Sequence, residues 1–186
     1  ATGLAPFSAG IVLSFSMGLL LTMPTSSAAI WVAVAKGNLS SNMLLAGGAA
    51  CVGCACHMIG FAVASFKENK WRGLLAQGLG TSMLQIPNIM KNPSILYPAV
   101  ISSIIAGPYS TVIFKLKSTA SGGGMGTSGL VGVIETVRAS LDSTATGVAN
   151  TVIGIFVCFI LIPVIVSLSV STILRNRGII KFGDMK

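Results

Sequence analysis

A chain of 186 residues that is 53% hydrophobic and only 9% charged cannot cover a soluble surface, where about 25% charged residues is usual. The same figures exclude disorder, which needs few apolar residues and much charge, and the 22 glycines do not recur at every third position as a collagen-like helix requires. What remains is an integral membrane protein. Its net charge of +8 would suggest nucleic acid in a soluble protein, but the basic residues close apolar runs, where topology and anionic lipid account for them. The four cysteines, Cys51, Cys54, Cys56 and Cys158, all lie in apolar runs and read as packing residues, not as a disulfide framework.

Charge-free stretches cover 1–35, 37–66, 73–90, 92–114, 118–134 and 143–174. A spanning helix needs about 20 apolar residues. The first stretch opens with Leu4 to Met23, long enough to span. It then meets Pro24, Thr25, Ser26 and Ser27 before Ala28 to Ala35, a pattern that predicts a helix that breaks and then continues. Because residue 1 is Ala with no basic stretch before the apolar run, no cleavable signal is expected and the chain reads as a fragment. Met43 to Phe66 spans and is closed by Lys67, Lys70, Trp71 and Arg72. Ser94 to Phe114 spans and is closed by Lys115 and Lys117. Val148 to Leu174 spans and is closed by Arg175 and Arg177.

Two further stretches are apolar yet too polar for lipid-facing helices. Gly73 to Met90 holds Gln77, Thr81, Ser82, Gln85, Pro87 and Asn88. Gly129 to Val137 holds Glu135 and follows the glycine-rich string 121–129, which includes Gly124, Thr127 and Ser128. Irregular backbone at membrane depth is tolerated only where protein buries it or where it lines a cavity. Both stretches therefore read as re-entrant hairpins or broken helices, with an extramembrane loop as the alternative for 118–128. The basic residues of 67–72 and 175–186 put both on the cytoplasmic side, so 73–90 and 118–137 must both re-enter or both span. The fold expected is all-α, an integral membrane protein of several transmembrane helices with broken or re-entrant segments, forming one transmembrane domain over 1–186.

Cys51-Val-Gly-Cys-Ala-Cys-His57 is the most metal-like string. On a helix Cys56 points about 140° away from Cys51 and about 160° away from Cys54, and the c-type haem spacing is missing. No metal or other cofactor is expected. His57 is then a hydrogen-bonded interior residue or lines a substrate path. The run Ala46-Gly-Gly-Ala-Ala50, with Gly53 and Gly60, gives small residues for close helix packing. Gln85, Asn88 and Asn92 offer amide donors and acceptors that suit a polyol or sugar, or else mark a polar turn. Glu135 either serves a cavity or pairs with Arg138 at i+3. No nucleophile, base and acid are placed for catalysis.

The stretch Gly80-Thr-Ser-Met-Leu-Gln-Ile-Pro-Asn-Ile-Met-Lys-Asn-Pro93, then Ile104-Ile-Ala-Gly-Pro108, then Gly124-Met-Gly-Thr-Ser-Gly-Leu-Val-Gly132 resembles the enzyme IIC-like permeases of the bacterial phosphoenolpyruvate sugar phosphotransferase system. The likeness is concentrated in about residues 80–135, and family members are longer, so it places this chain as half of a larger permease. It implies a multi-pass protein of the bacterial inner membrane, a homodimer, that binds a sugar or polyol near the bilayer midplane. It also implies a cytoplasmic IIB partner that carries out phosphotransfer, which this chain does not itself perform. By that resemblance the substrate residues are sought among Gln77, Thr81, Ser82, Gln85, Asn88, Gly124, Thr127, Ser128 and Glu135, with His57 beside them. The rival reading is a non-transporting membrane subunit that packs against partner helices.

Overall fold

The computed structural model describes residues 4–35, 40–141 and 147–186; the charge breaks at Lys36 and Asp142 lie outside them. Nine α-helices appear among the described residues: α1 (Leu4–Thr22), α2 (Ser27–Ala35), α3 (Ser41–Ala64), α4 (Phe66–Leu75), α5 (Ile86–Lys91), α6 (Tyr97–Pro108), α7 (Val131–Leu141), α8 (Val148–Ile155) and α9 (Ile162–Asn176). No strand is present among them. Four helical runs are long and apolar enough to cross a membrane: Ala5–Thr22, Ser41–Ala64, Pro93–Ile113 and Val148–Asn176. They match the expected spans to within a few residues, and the protein is an all-α membrane protein.

The axis of the bundle is α3. Sixteen of its 24 residues are buried, and α1, α6 and α9 surround it. Small residues set how closely these helices approach. A Cβ on Gly53 would collide with the Ser14 backbone of α1, and one on Gly107 of α6 with the Gly10 carbonyl of α1. Gly60 meets Ala99 of α6 and Ser167 of α9. In lipid no hydrophobic gain drives helices together, so contact area and interhelical hydrogen bonds must do it. The bond from Ser14 Oγ to the Ser103 carbonyl, 2.7 Å, and that from Ser167 Oγ to the Pro98 carbonyl, 3.1 Å, follow from that closeness.

One end of the bundle carries 67–72 and 175–186 together. There the Arg175 guanidinium grips the buried Glu68 carboxylate at 3.2 and 3.0 Å and also donates to the Ala64 carbonyl at 3.2 Å. The Glu68 side chain is 1% exposed, and losing either partner of such a pair costs about 3–5 kcal/mol because a charge is left buried. Both basic stretches thus lie at the same end of the bundle. Lys115 and Lys117 lie at the opposite end, where the Ser118 amide donates to the Leu44 carbonyl near the start of α3.

Both polar stretches return to the end they leave. The first, residues 73–92, rises beside the last turns of α3, with Gln77 bonded to Ser65 at 3.1 Å. It reaches the level of His57 at Ser82, then descends through α5 to Asn92, which bonds Asp184 at 2.8 Å. The second, residues 118–141, descends from Ser118 to Thr127 beside Met58 and climbs back along α7, where Ser140 bonds Lys117. Of the two alternatives the sequence left open, the paired hairpins are the one observed.

The α1–α2 unit departs from expectation. Instead of continuing, the helix reverses at Met23–Ser26. Thr22 meets His57, yet Trp31 of α2 packs back against Gly47, close to the start of α3. Pro24 offers no amide proton, and two tight turns, Thr25 N to Met23 O and Ser27 N to Thr25 O, bend the chain in place of helical bonds.

Replacing Gly53 by Val should separate α1 from α3 and lower stability by about 1–3 kcal/mol, the usual cost of overpacking. Gly147→Ala, where no atom lies within 4 Å of the added Cβ, should stay within about 0.5 kcal/mol. Thermal unfolding of the two variants in detergent checks the contrast.

Candidate functional site

Three chain reversals meet about two-thirds of the way along α3. They are the Met23–Ser26 turn, the tip of the first hairpin at Gly80–Ser82, and the tip of the second at Thr127–Leu130. The meeting point is His57 and Met58, roughly 12 Å from the Ser65 end of α3 and about 24 Å from its Ser41 end at 1.5 Å per residue, so it lies within the length of a helix long enough to cross a membrane.

Hydrogen bonds tie the three together. Thr22 Oγ1 lies 2.9 Å from His57 Nδ1 and 3.1 Å from Ser82 Oγ, and 3.1 Å from the Gly18 carbonyl. One hydroxyl oxygen thus joins α1, the imidazole of α3 and the first hairpin. His57 Nε2 is buried with no partner and faces Gly18, where a Cβ would crowd the ring. Thr127 donates to the Gly78 carbonyl and Ser128 to the Gly80 carbonyl at 2.9 Å. The hairpins thus meet tip to tip, hydroxyl to carbonyl.

The second tip is built from unusual backbone. Gly126, Gly129 and Leu130 all have positive φ, +58°, +53° and +61°. For leucine this conformation is strained and persists only where the surroundings impose it. The tips are also uncovered on one side: Met23 to Ser26, Leu79 and Gly80, and Gly129 and Leu130 are all exposed. A Cβ added at Gly80 would meet nothing within 4 Å.

The sequence-predicted residues divide by place. His57, Ser82, Thr127 and Ser128 form the node, and Thr81 beside them caps the short turn after it by accepting from the Met83 amide at 3.2 Å. Gln77 is taken up by Ser65 on the rising limb. Gln85 and Asn88 lie below the node on the descending limb, bonded to each other at 2.9 Å. Gly124 is a packing residue, since a Cβ there would sit 2.6 Å from the Ser27 carbonyl, which leaves room for the Ser27 hydroxyl to donate to the Gly124 carbonyl at 2.8 Å. Glu135 stands away from the tips, eight residues from Thr127 and so about 12 Å along the chain. Its carboxylate accepts from Thr119 at 2.6 Å, and no ion pair with Arg138 forms among the described residues.

The cysteine-rich string does not converge. Cys54 points to the Met17 carbonyl of α1 at 3.4 Å, Cys56 toward Cys158 of the π turn between α8 and α9, and Cys51 toward Gly126. No group of three His, Cys, Asp or Glu residues is placed to hold a metal among the described residues.

Sequence reasoning missed Thr22. The signal was its place just before Met23-Pro24, where a helix must stop and a hydroxyl can serve as the terminal acceptor. Thr22→Val should loosen the first tip, raising amide hydrogen exchange over 78–85 by about two- to tenfold, the equivalent of one net hydrogen bond. Thr22→Ser should restore the slow exchange.

Comparison with curated proteins and with solved structures finds no match. The family model described as phosphotransferase system, EIIC, matches residues 1–186. This chain, an all-α membrane bundle with paired hairpins that meet at a polar node, therefore belongs to the EIIC family, a membrane transporter component of the phosphotransferase system.

Proposed function

We propose that this chain carries a sugar or polyol across the bacterial inner membrane by alternating access, and that the substrate lies against the uncovered side of the three tips. One observation carries the reading. Non-helical backbone at Met23–Ser26, Gly80 and Gly129–Leu130 is exposed at the depth of His57. Peptide groups at that depth are tolerated only against protein or water, and a water-filled path lined by carbonyls and hydroxyls suits a polyhydroxylated solute. Thr81 and Ser128 would supply hydroxyls there, and the buried Ser82, held by Thr22 and His57, would position the first tip. Gln77, Gln85 and Asn88 would support the first hairpin below the site, while Gly124, Thr127 and Glu135 would shape the second.

Alternating access fits a site of this kind, because two hairpins rooted at opposite ends of the bundle can move with different helices. The end carrying 67–72 and 175–186 would face the cytoplasm. A IIB component there would carry the phosphoryl chemistry, and a second copy of the chain would complete a homodimer; both partners are drawn from the family.

Sealed vesicles containing the protein should exchange radiolabelled glucose, lactose or mannitol in counterflow. The pair Ser82→Ala and Ser128→Ala should cut that exchange at least tenfold while the protein stays folded. No movement of any of the three sugars by the unaltered protein, together with a stoichiometric membrane partner, would support the non-transporting subunit instead.

A further inference from the structure

We infer that residues 177–186 are a strap that closes the basic end of the solute path and must lift for the path to open. This rests on the transport reading and adds a gate to it.

The descending limb of the first hairpin presents amides at successive turns, Gln85, Asn88 and Asn92. Each spends a donor on the strap. Gln85 Nε2 donates to the Met185 carbonyl at 3.2 Å. Asn88 Nδ2 donates to the Lys186 carbonyl at 3.0 Å, and Asn92 Nδ2 to the Ile179 carbonyl at 2.9 Å. From α4, Asn69 joins them with a 2.6 Å bond to the Met185 carbonyl. A column of amide donors leading from Ser82 toward the basic end is thus covered by carbonyl oxygens. Those oxygens occupy the positions that a solute's hydroxyl oxygens would take as acceptors.

The strap is seated by two side chains. Ile180 is 1% and Met185 0% exposed, packed with Phe61, Ala64, Ile95 and Ala99. Met185 therefore closes the space beneath Gln85. Its ends are glycine turns, Gly178 at φ +71° and Gly183 at φ +102°, which can absorb a change in direction that other residues resist. A Cβ at either would meet nothing within 4 Å, so these glycines serve conformation and not packing.

Two contacts tie the strap to the ion pair, one of them from Arg175 to Met185 Sδ at 3.6 Å. The Gly183 amide donates to Glu68 Oε1 at 2.9 Å, the same oxygen that takes Arg175. Glu68 and Arg175 belong to the bundle itself, through α4 and α9. Glu68 thus acts as the catch, a positioning residue that holds the strap without touching the solute.

Two measurements test the gate. First, Asn92→Cys with Asp184→Cys places a thiol on each side of the 2.8 Å contact between those residues; the four native cysteines are buried. Joining the new thiols with a short bis-methanethiosulfonate linker should lower counterflow of glucose, lactose or mannitol at least tenfold, and reduction should restore it. Bridged protein that exchanges as fast as the unbridged protein would overturn the proposal. Second, Asn88→Cys should react with a membrane-impermeant maleimide at least tenfold faster when Glu68→Gln is added, because the weakened catch frees the strap. An unchanged labelling rate would show a fixed element and would also overturn it. If no sugar moves even without the bridge, the transport reading fails, and the labelling rate alone decides whether the strap lifts.

Discussion

The constraint on which the rest depends is that peptide groups inside a bilayer must find their hydrogen bonds within the protein. Straight helices meet it alone. This chain also brings three reversals to the middle of the bundle and has to satisfy each one there. It does so with short hydroxyl side chains, Thr22, Ser27, Thr127 and Ser128, each bonded to a backbone carbonyl of its own or a neighbouring segment. A hydroxyl both donates and accepts and costs little space, which explains why these residues and not amides stand at the tightest points.

The same constraint shapes the segment that leads into the second hairpin. Residues 115–118 run without helical bonds, yet Leu116 is fully buried. The Leu116 amide reaches the Ser110 carbonyl, the Ser118 amide reaches Leu44, and the Lys117 amide reaches Ser140. Gly47 and Gly48 of α3 make room for it: a Cβ on either would strike a carbonyl of this segment. The glycines of α3 therefore serve two purposes. Gly53 and Gly60 admit helices, whereas Gly47 and Gly48 admit a strand-like piece of chain.

Much of the architecture was legible in the sequence. Apolar length located the four helices long enough to span, and the mixture of polar residues, Pro and Gly within apolar stretches located both hairpins. The reversal at Pro24 was not legible, because a proline after a spanning run fits a kink as well as a turn. Its direction is decided by the fit of Trp31 on Gly47, a contact distant in sequence. The node was partly legible: Ser82, Thr127, Ser128 and His57 stood out as polar residues in apolar surroundings. Gln85 and Asn88 stood out equally, but their partners lie about 100 residues away and no local pattern announces them. Glu135 drew attention as an isolated acid, and only the packing of 118–122 against α7 reveals that Thr119 already answers its charge.

Between the two hairpins the polar seam consists of the hydroxyl bonds from Thr127 and Ser128. Each is worth about 0.5–1.5 kcal/mol net, so parting the seam costs on the order of 1–3 kcal/mol in hydrogen bonding. A parted arrangement at such an energy would hold roughly 0.6–16% of the molecules at rest. Thermal motion alone can then sample it, and a solute that replaces the two lost bonds needs to contribute little more than those bonds to make it the dominant form.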